Sequence, residues 1–141
     1  MKSECAAMRK SCIIMAEAQQ SLLRSLKNLL EPHLEISATT DNVLSLLDSI
    51  ESLTPDLVIV VVTYTSLDKR NLVRHLNQRF PDLVIIILSD IDEPLAIKNA
   101  LKQNIRGYVL LHEVKDVLVP AVEKVLAGET YFPAAYEEPQ S

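Results

Sequence analysis

Glycine is almost missing from this 141-residue chain, where Gly107 and Gly128 are the only two. A phosphate-cradling loop of the P-loop or dinucleotide-binding kind needs several glycines close together, so that backbone N–H groups can approach the phosphates. Enzymes that hold a nucleotide in that way are therefore disfavoured. Cysteine is equally scarce, with Cys5 and Cys12 alone. A small secreted scaffold would carry more, and a reducing compartment fits better. Their spacing matches no metal motif, so one reads as a tail cysteine and the other as a core residue. No apolar run approaches the ~18 residues of a membrane span. The run Cys12 to Ala16 follows Lys2, Arg9 and Lys10 but is too short, and too soon polar, for a signal sequence. A cytoplasmic protein without membrane contact is the expectation. Basic residues are also in deficit: 14 Lys and Arg against 19 Asp and Glu leave a net charge of −5. Non-specific nucleic-acid binding depends on phosphate neutralisation by basic side chains, so these residues alone are not expected to bind DNA.

What is present is aliphatic. Hydrophobic residues make up 48% of the chain, which suits one domain with a sizeable core. Short runs of Ile, Val and Leu occur as "CIIMA" at 12–16, "DLVIVVV" at 56–62, "DLVIIIL" at 82–88 and "GYVLL" at 107–111. None alternates polar with apolar, and continuous runs of this length suit strands buried on both faces, as in a parallel sheet. "HLEIS" at 33–37 is a weaker fifth candidate, suited to an edge strand.

Helical stripes fall between the runs. Leu22, Leu23, Leu26, Leu29 and Leu30 form the first, with Pro32 beyond its end. Val43, Leu44, Leu46, Leu47 and Ile50 form the second, with Asp41 as candidate N-cap. Leu67, Leu72, Val73 and Leu76 mark a third, which Asp68 could cap and Phe80–Pro81 closes. Leu95, Ile97, Ala100 and Leu101 mark a fourth, with Pro94 suited to its first turn. Val114, Val117, Leu118, Val122 and Val125 mark a fifth, with Gly128 at its C-terminal end and Pro120 expected to bend it or shift its start. Strand and helix thus alternate five times, which implies right-handed crossovers and helices on both faces of a parallel sheet. The expected boundaries are an arm at 1–10, the domain at 11–128, and a tail or linker at 129–141.

In an open parallel sheet, ligands bind beyond the carboxyl ends of the strands. The residues there are Glu17 and Ala18, Val61 to Thr63, Ser89 and Asp90, and Leu111 and His112. That rim is apolar at its centre. His33, His75 and His112 sit in different elements and share no ligand spacing. "SDIDE", Ser89 to Glu93, gathers three carboxylates before a helix, where the helix dipole favours them without any metal. No nucleophile–base set and no cofactor motif is visible, so neither catalysis nor a cofactor is expected.

Several pieces, taken in order, resemble a two-component response-regulator receiver domain of the LuxR/NarL type. They are "IIMAEAQQSLLRSLKNLL", "PDLVIVVV", "FPDLVIIILS", "IRGYVLL" and "AVEKVLAGETYFP", spanning roughly 11–133. The resemblance implies an α/β, flavodoxin-like (βα)5 doubly wound sandwich with strand order 2-1-3-4-5. It also implies where the family's phosphorylation site would fall. The acidic pair falls on Glu17 and Ala18, the phosphate-accepting aspartate on Val61, the Ser/Thr on Ser89 and the lysine on Leu111. The aromatic switch residue falls on Tyr108, paired with Ser89. Aspartyl phosphate needs a carboxylate nucleophile, which valine lacks, and magnesium in such sites needs carboxylate oxygens. The expectation is a degenerate site without metal: a phosphorylation-independent pseudo-receiver for signal transduction and transcription regulation. Its protein partner or homodimer contact would use the fourth helix, fifth strand and fifth helix, through Leu95, Lys98, Asn99, Lys102, Gln103, Tyr108, Glu113 and Lys115. DNA would be bound only through a helix-turn-helix beyond Ser141. A small-ligand sensor or a stand-alone adaptor is the alternative.

Overall fold

Five parallel strands form one sheet in the order β2-β1-β3-β4-β5. The computed structural model describes residues 12–64 and 69–133. The expected arm, Leu67, Asp68 and the end of the expected tail lie outside the described residues. The strands are β1 (Ile13–Ala16), β2 (Ala38–Thr40), β3 (Leu57–Val62), β4 (Ile85–Ser89) and β5 (Gly107–Leu110). The helices are α1 (Gln20–Leu30), α2 (Val43–Leu53), α3 (Lys69–Arg79), α4 (Pro94–Lys102) and α5 (Val114–Leu126).

The sheet has an apolar layer on each face. Ile14, Val58, Val60, Val62, Ile85 and Ile87 meet Leu46 and Ile50 of α2, Val73 and Leu76 of α3, and Ile97 of α4. Ile13, Met15, Ile59, Val61, Ile86 and Leu88 meet Leu23, Leu26 and Leu30 of α1, with Leu118 and Val122 of α5. Both neighbours of each central-strand residue along the chain are therefore buried. That is why the runs read as unbroken aliphatics.

Both glycines have a structural reason. A Cβ at Gly107 would lie 2.9 Å from Ile86 Cγ1 and 3.3 Å from Val125 Cγ2, so its absence lets α5 lie close on β5. Gly128, at φ 96°, ends α5 in the left-handed conformation, with its N–H donating to Val125 O.

Three expectations change. The edge strand lies at 38–40 rather than 33–37, because pairing with β1 begins at Ile14↔Ala38. Ile36 instead buries its side chain beside α1, and Ser37 N–H donates to Ile13 O. Asn42, not Asp41, caps α2: its Oδ1 accepts from Ser45 N at 2.8 Å. Pro120 lies within α5, whose start at Val114 it does not shift. Residues 129–133, expected in the tail, pack on the domain. Tyr108 N–H donates to Tyr131 O at 2.8 Å, Tyr131 N–H donates to Arg106 O at 3.0 Å, and Phe132 is buried. This segment covers the open edge of β5, which would otherwise present unpaired backbone groups.

Candidate functional site

The strand ends place Glu17, Val61, Ser89 and Leu111 along one rim of the sheet. Val61 pairs with Leu88 in the β3–β4 register and is 0% exposed. Its side chain lies in the layer built from Met15, Leu88, Val109, Leu118 and Val122, and Leu111 packs against that same layer. Strand parity explains this: Ile59 and Val61 share one face of β3, while Val60 and Val62 share the other. A valine and a leucine there simply extend the core.

Glu17 follows the end of β1, next to the exposed Ala18. It is 8% exposed. Its Oε2 accepts from Gln19 N at 2.7 Å, and its Oε1 accepts from Lys69 Nζ at 3.2 Å. An ammonium from α3 thus supplies the positive charge that a largely buried carboxylate requires.

Across the sheet the rim is polar. Ser89 is fully buried, and its Oγ accepts from Ile91 N at 3.0 Å. Tyr108, 3% exposed, donates from its hydroxyl to Ile91 O at 2.7 Å. The two side chains therefore hold both backbone groups of Ile91, fixing the β4–α4 loop to β4 and β5. Tyr108 points inward, so it does not contribute to the surface on which the sequence reading placed it. Leu95, by contrast, is 70% exposed, and Lys98, Asn99, Lys102 and Lys115 are exposed beside the partly covered Gln103 and Glu113.

Two of the three "SDIDE" carboxylates, Asp90 and Glu93, serve as hydrogen-bond acceptors. Asp90 Oδ1 accepts from Tyr64 N at 3.1 Å, and Glu93 Oε2 accepts from the Tyr64 hydroxyl at 2.8 Å. The bond to Glu93 pushes the Tyr64 phenol above its usual value, helped by burial and by the charges of Glu93 and Asp90. Among the described residues no group of three or more His, Cys, Asp or Glu is placed to hold a metal. His33, His75 and His112 are exposed, in separate elements.

No family model matches the sequence. Over 121 residues the chain is 26% identical to the transcriptional regulatory protein DegU of Brevibacillus brevis, a match covering 84% of this chain and 51% of that protein. It is 24% identical over 122 residues to the transcriptional regulatory protein MctR of Rhizobium johnstonii, covering 85% and 57%. The chain thus spans about half the length of the curated relatives it matches. Among solved structures, it superposes on the isolated receiver domain of RcsB from Salmonella enterica serovar Typhimurium, with phosphomimetic beryllofluoride. The TM-score is 0.79 at 19% identity, covering 90% of this chain and 96% of that one. A LuxR-family response regulator from Aurantimonas sp. gives a TM-score of 0.78 at 21% identity, covering 90% and 92%. The fold is that of a response-regulator receiver domain.

Three features of this receiver fold escaped sequence reading. Lys69 lies 52 residues from Glu17, and no local pattern links them. One signal existed: a basic residue opening a helix opposes the helix dipole and calls for a compensating acid. Thr40 carries the one buried side-chain oxygen among the described residues that lacks a hydrogen-bond partner. The Tyr64–Glu93 bond joins two loops, for which hydrophobic periodicity carries no information.

Proposed function

We propose that this chain is a phosphorylation-independent pseudo-receiver that acts in signalling and transcription regulation through protein contacts. The observation that carries the reading is Val61, fully buried in an aliphatic layer that Leu111 also joins. On the residue-by-residue resemblance, these positions would hold the acceptor carboxylate and the lysine that pairs with phosphate. Valine has no nucleophilic atom, and leucine cannot pair with a phosphoryl group. Glu17 keeps a negative charge, but Lys69 neutralises it from within the chain. The degenerate site is then Glu17, Ala18, Val61, Ser89 and Leu111.

Ser89 and Tyr108 are both bonded to the Ile91 backbone, so the fold itself supplies partners to both side chains. On this reading the exposed surface of α4 and the start of α5 has a constant shape. Leu95, Lys98, Asn99, Lys102, Glu113 and Lys115 are its partner-facing side chains, and a second copy of the chain is one partner. A role in transcription regulation draws on the relatives DegU and MctR and on RcsB, which has been solved with DNA. In this reading DNA contact belongs to a separate helix-turn-helix.

The test is intact-mass spectrometry after incubation with magnesium and acetyl phosphate. No covalent phosphate is expected. A stoichiometric adduct that hydroxylamine removes would overturn the proposal.

A further inference from the structure

The cleft between α3 and α4 differs in charge from the rest of the chain. These two helices hold six of the 14 basic residues and none of the 19 acids. Lys69 and Arg79 are taken up by Glu17 and Glu51. Arg74, Lys98 and Lys102 are exposed and have no ion pair among the described residues. The neighbouring acids leave this charge standing. Asp90 and Glu93 accept from Tyr64. Asp82 and Asp92 lie in the loops after α3 and before α4, outside the lining of the cleft.

Within the cleft is an apolar cavity of about 130 Å³. Val73 of α3, Ile87 of β4 and Tyr108 of β5 help to wall it, and α4 contributes Ala96 and Ala100, which are too short to fill the gap. Asn77 Nδ2 donates to Gln103 O, linking the two helices at one end of the cleft. A dry apolar cavity of ~150 Å³ accepts a benzene ring, so this one accepts a single leucine-sized side chain.

Polar groups continue the cleft on either side of the cavity. Arg74, Asn99 and Gln103 belong to its lining. Arg74 and Gln103 also line an adjoining, more open depression that reaches Pro81 and Asn104. The cleft is therefore longer than one side chain, and an extended segment can follow it. Leu95, four residues before Asn99, and Lys102, three after it, share the exposed face of α4 beside the cavity.

We propose that this cleft docks a short acidic segment of a partner protein, with one leucine-like side chain in the cavity and flanking carboxylates at Arg74 and Lys102. A buried anchor in a central pocket carries most of the energy of such a contact, and matched charges speed and select it. Nucleic acid would match the cations but offers no aliphatic side chain for the cavity. The proposal rests on the reading above only in taking the partner to be a protein. A phosphoryl adduct would overturn that reading and leave the cleft unaffected, whereas a peptide titration tests the cleft alone.

The probe is the peptide acetyl-EEDLEDE-amide, titrated into the whole chain and followed by amide NMR. Saturable shifts are expected at Val73, Arg74, Ala96, Asn99 and Gln103, with affinity falling about fivefold or more between about 0.05 M and 0.5 M salt. Serine in place of the leucine should weaken binding by about tenfold. The neutral peptide acetyl-QQNLQNQ-amide should also bind about tenfold more weakly. Ala96→Leu fills the cavity from α4 and should lower affinity about tenfold, and Arg74→Glu should do the same by charge reversal. Arg74 is exposed, so its variant remains a valid test should Ala96→Leu not fold. The proposal fails if the acidic peptide gives no saturable shifts at these amides, or if the serine or neutral peptide binds as well. It fails equally if folded Ala96→Leu or Arg74→Glu binds with unchanged affinity, or if octathymidylate shifts the same amides at lower concentration than the peptide.

Discussion

On the face beneath α1 and α5 the rim is held by aliphatic packing, with one ion pair at the end of β1. On the opposite face, at β4 and β5, it is held by directed hydrogen bonds. Val61 and Leu111 merge into the layer beneath α1 and α5. Ser89 and Tyr108 instead divide the two backbone groups of Ile91 between them. On the proposed reading, the difference separates acceptor chemistry from switch geometry within one sheet. An aspartate, a metal and a lysine would form a charge cluster in which each member needs the others, because an unpaired buried charge is costly. A serine and a tyrosine bonded to backbone need no such cluster and persist on local hydrogen bonding alone.

Substitutions that cross this divide should have unequal effects. The largest is expected from Val61→Asp. It puts a carboxylate into an aliphatic layer with Leu111 rather than a lysine beside it, and should cost about 3 kcal/mol or more, read from urea unfolding. It should not restore phosphorylation, since Ala18 and Leu111 still leave metal and phosphate unpartnered. Efficient phosphotransfer to that single variant would mean that the acceptor site has been misaligned. Next is Tyr108→Phe, which removes the donor to the buried Ile91 carbonyl and should cost about 1–3 kcal/mol while leaving the Val61 region unshifted by NMR. Lys69→Met should cost less, about 1–2 kcal/mol, because Glu17 keeps its bond from Gln19 and Lys69 is partly exposed. Adding Glu17→Gln should recover part of that loss, and a cycle without coupling would remove the pair from the account. The smallest effect is spectroscopic. Glu93→Gln should bring the Tyr64 pKa down toward the ordinary phenol value of 10.0, without measurable change in melting temperature. An unchanged ultraviolet titration would contradict the hydrogen bond as its main cause.

Much of the fold was legible in the sequence, and the reasons differ by element. β1, β3, β4 and β5 announced themselves because double-faced burial demands continuous aliphatics. β2 did not, since a three-residue edge strand of sequence "ATT" needs no such run. The two "PDLV" entries look alike yet behave differently. β3 begins at Leu57 directly after its Pro-Asp, whereas β4 begins only at Ile85. The carboxylate of Asp56 accepts from Cys12 N at 2.8 Å and so brings β3 into line with β1 at once. Asp41 and Asn42 are both capping types, and only backbone geometry separates them. At the candidate site, Val61 became visible through the family resemblance, because a valine among valines carries no local signal. Inward Tyr108 follows from strand parity, while Lys69 and Thr40 required tertiary structure.

The most direct measurement compares amide NMR spectra with and without beryllofluoride and magnesium. The account predicts unchanged resonances for Val61 and for Ser89, Ile91 and Tyr108, with both halves of the rim unresponsive. Saturable shifts that begin at Val61 and spread to Ile91 and Tyr108 would contradict it.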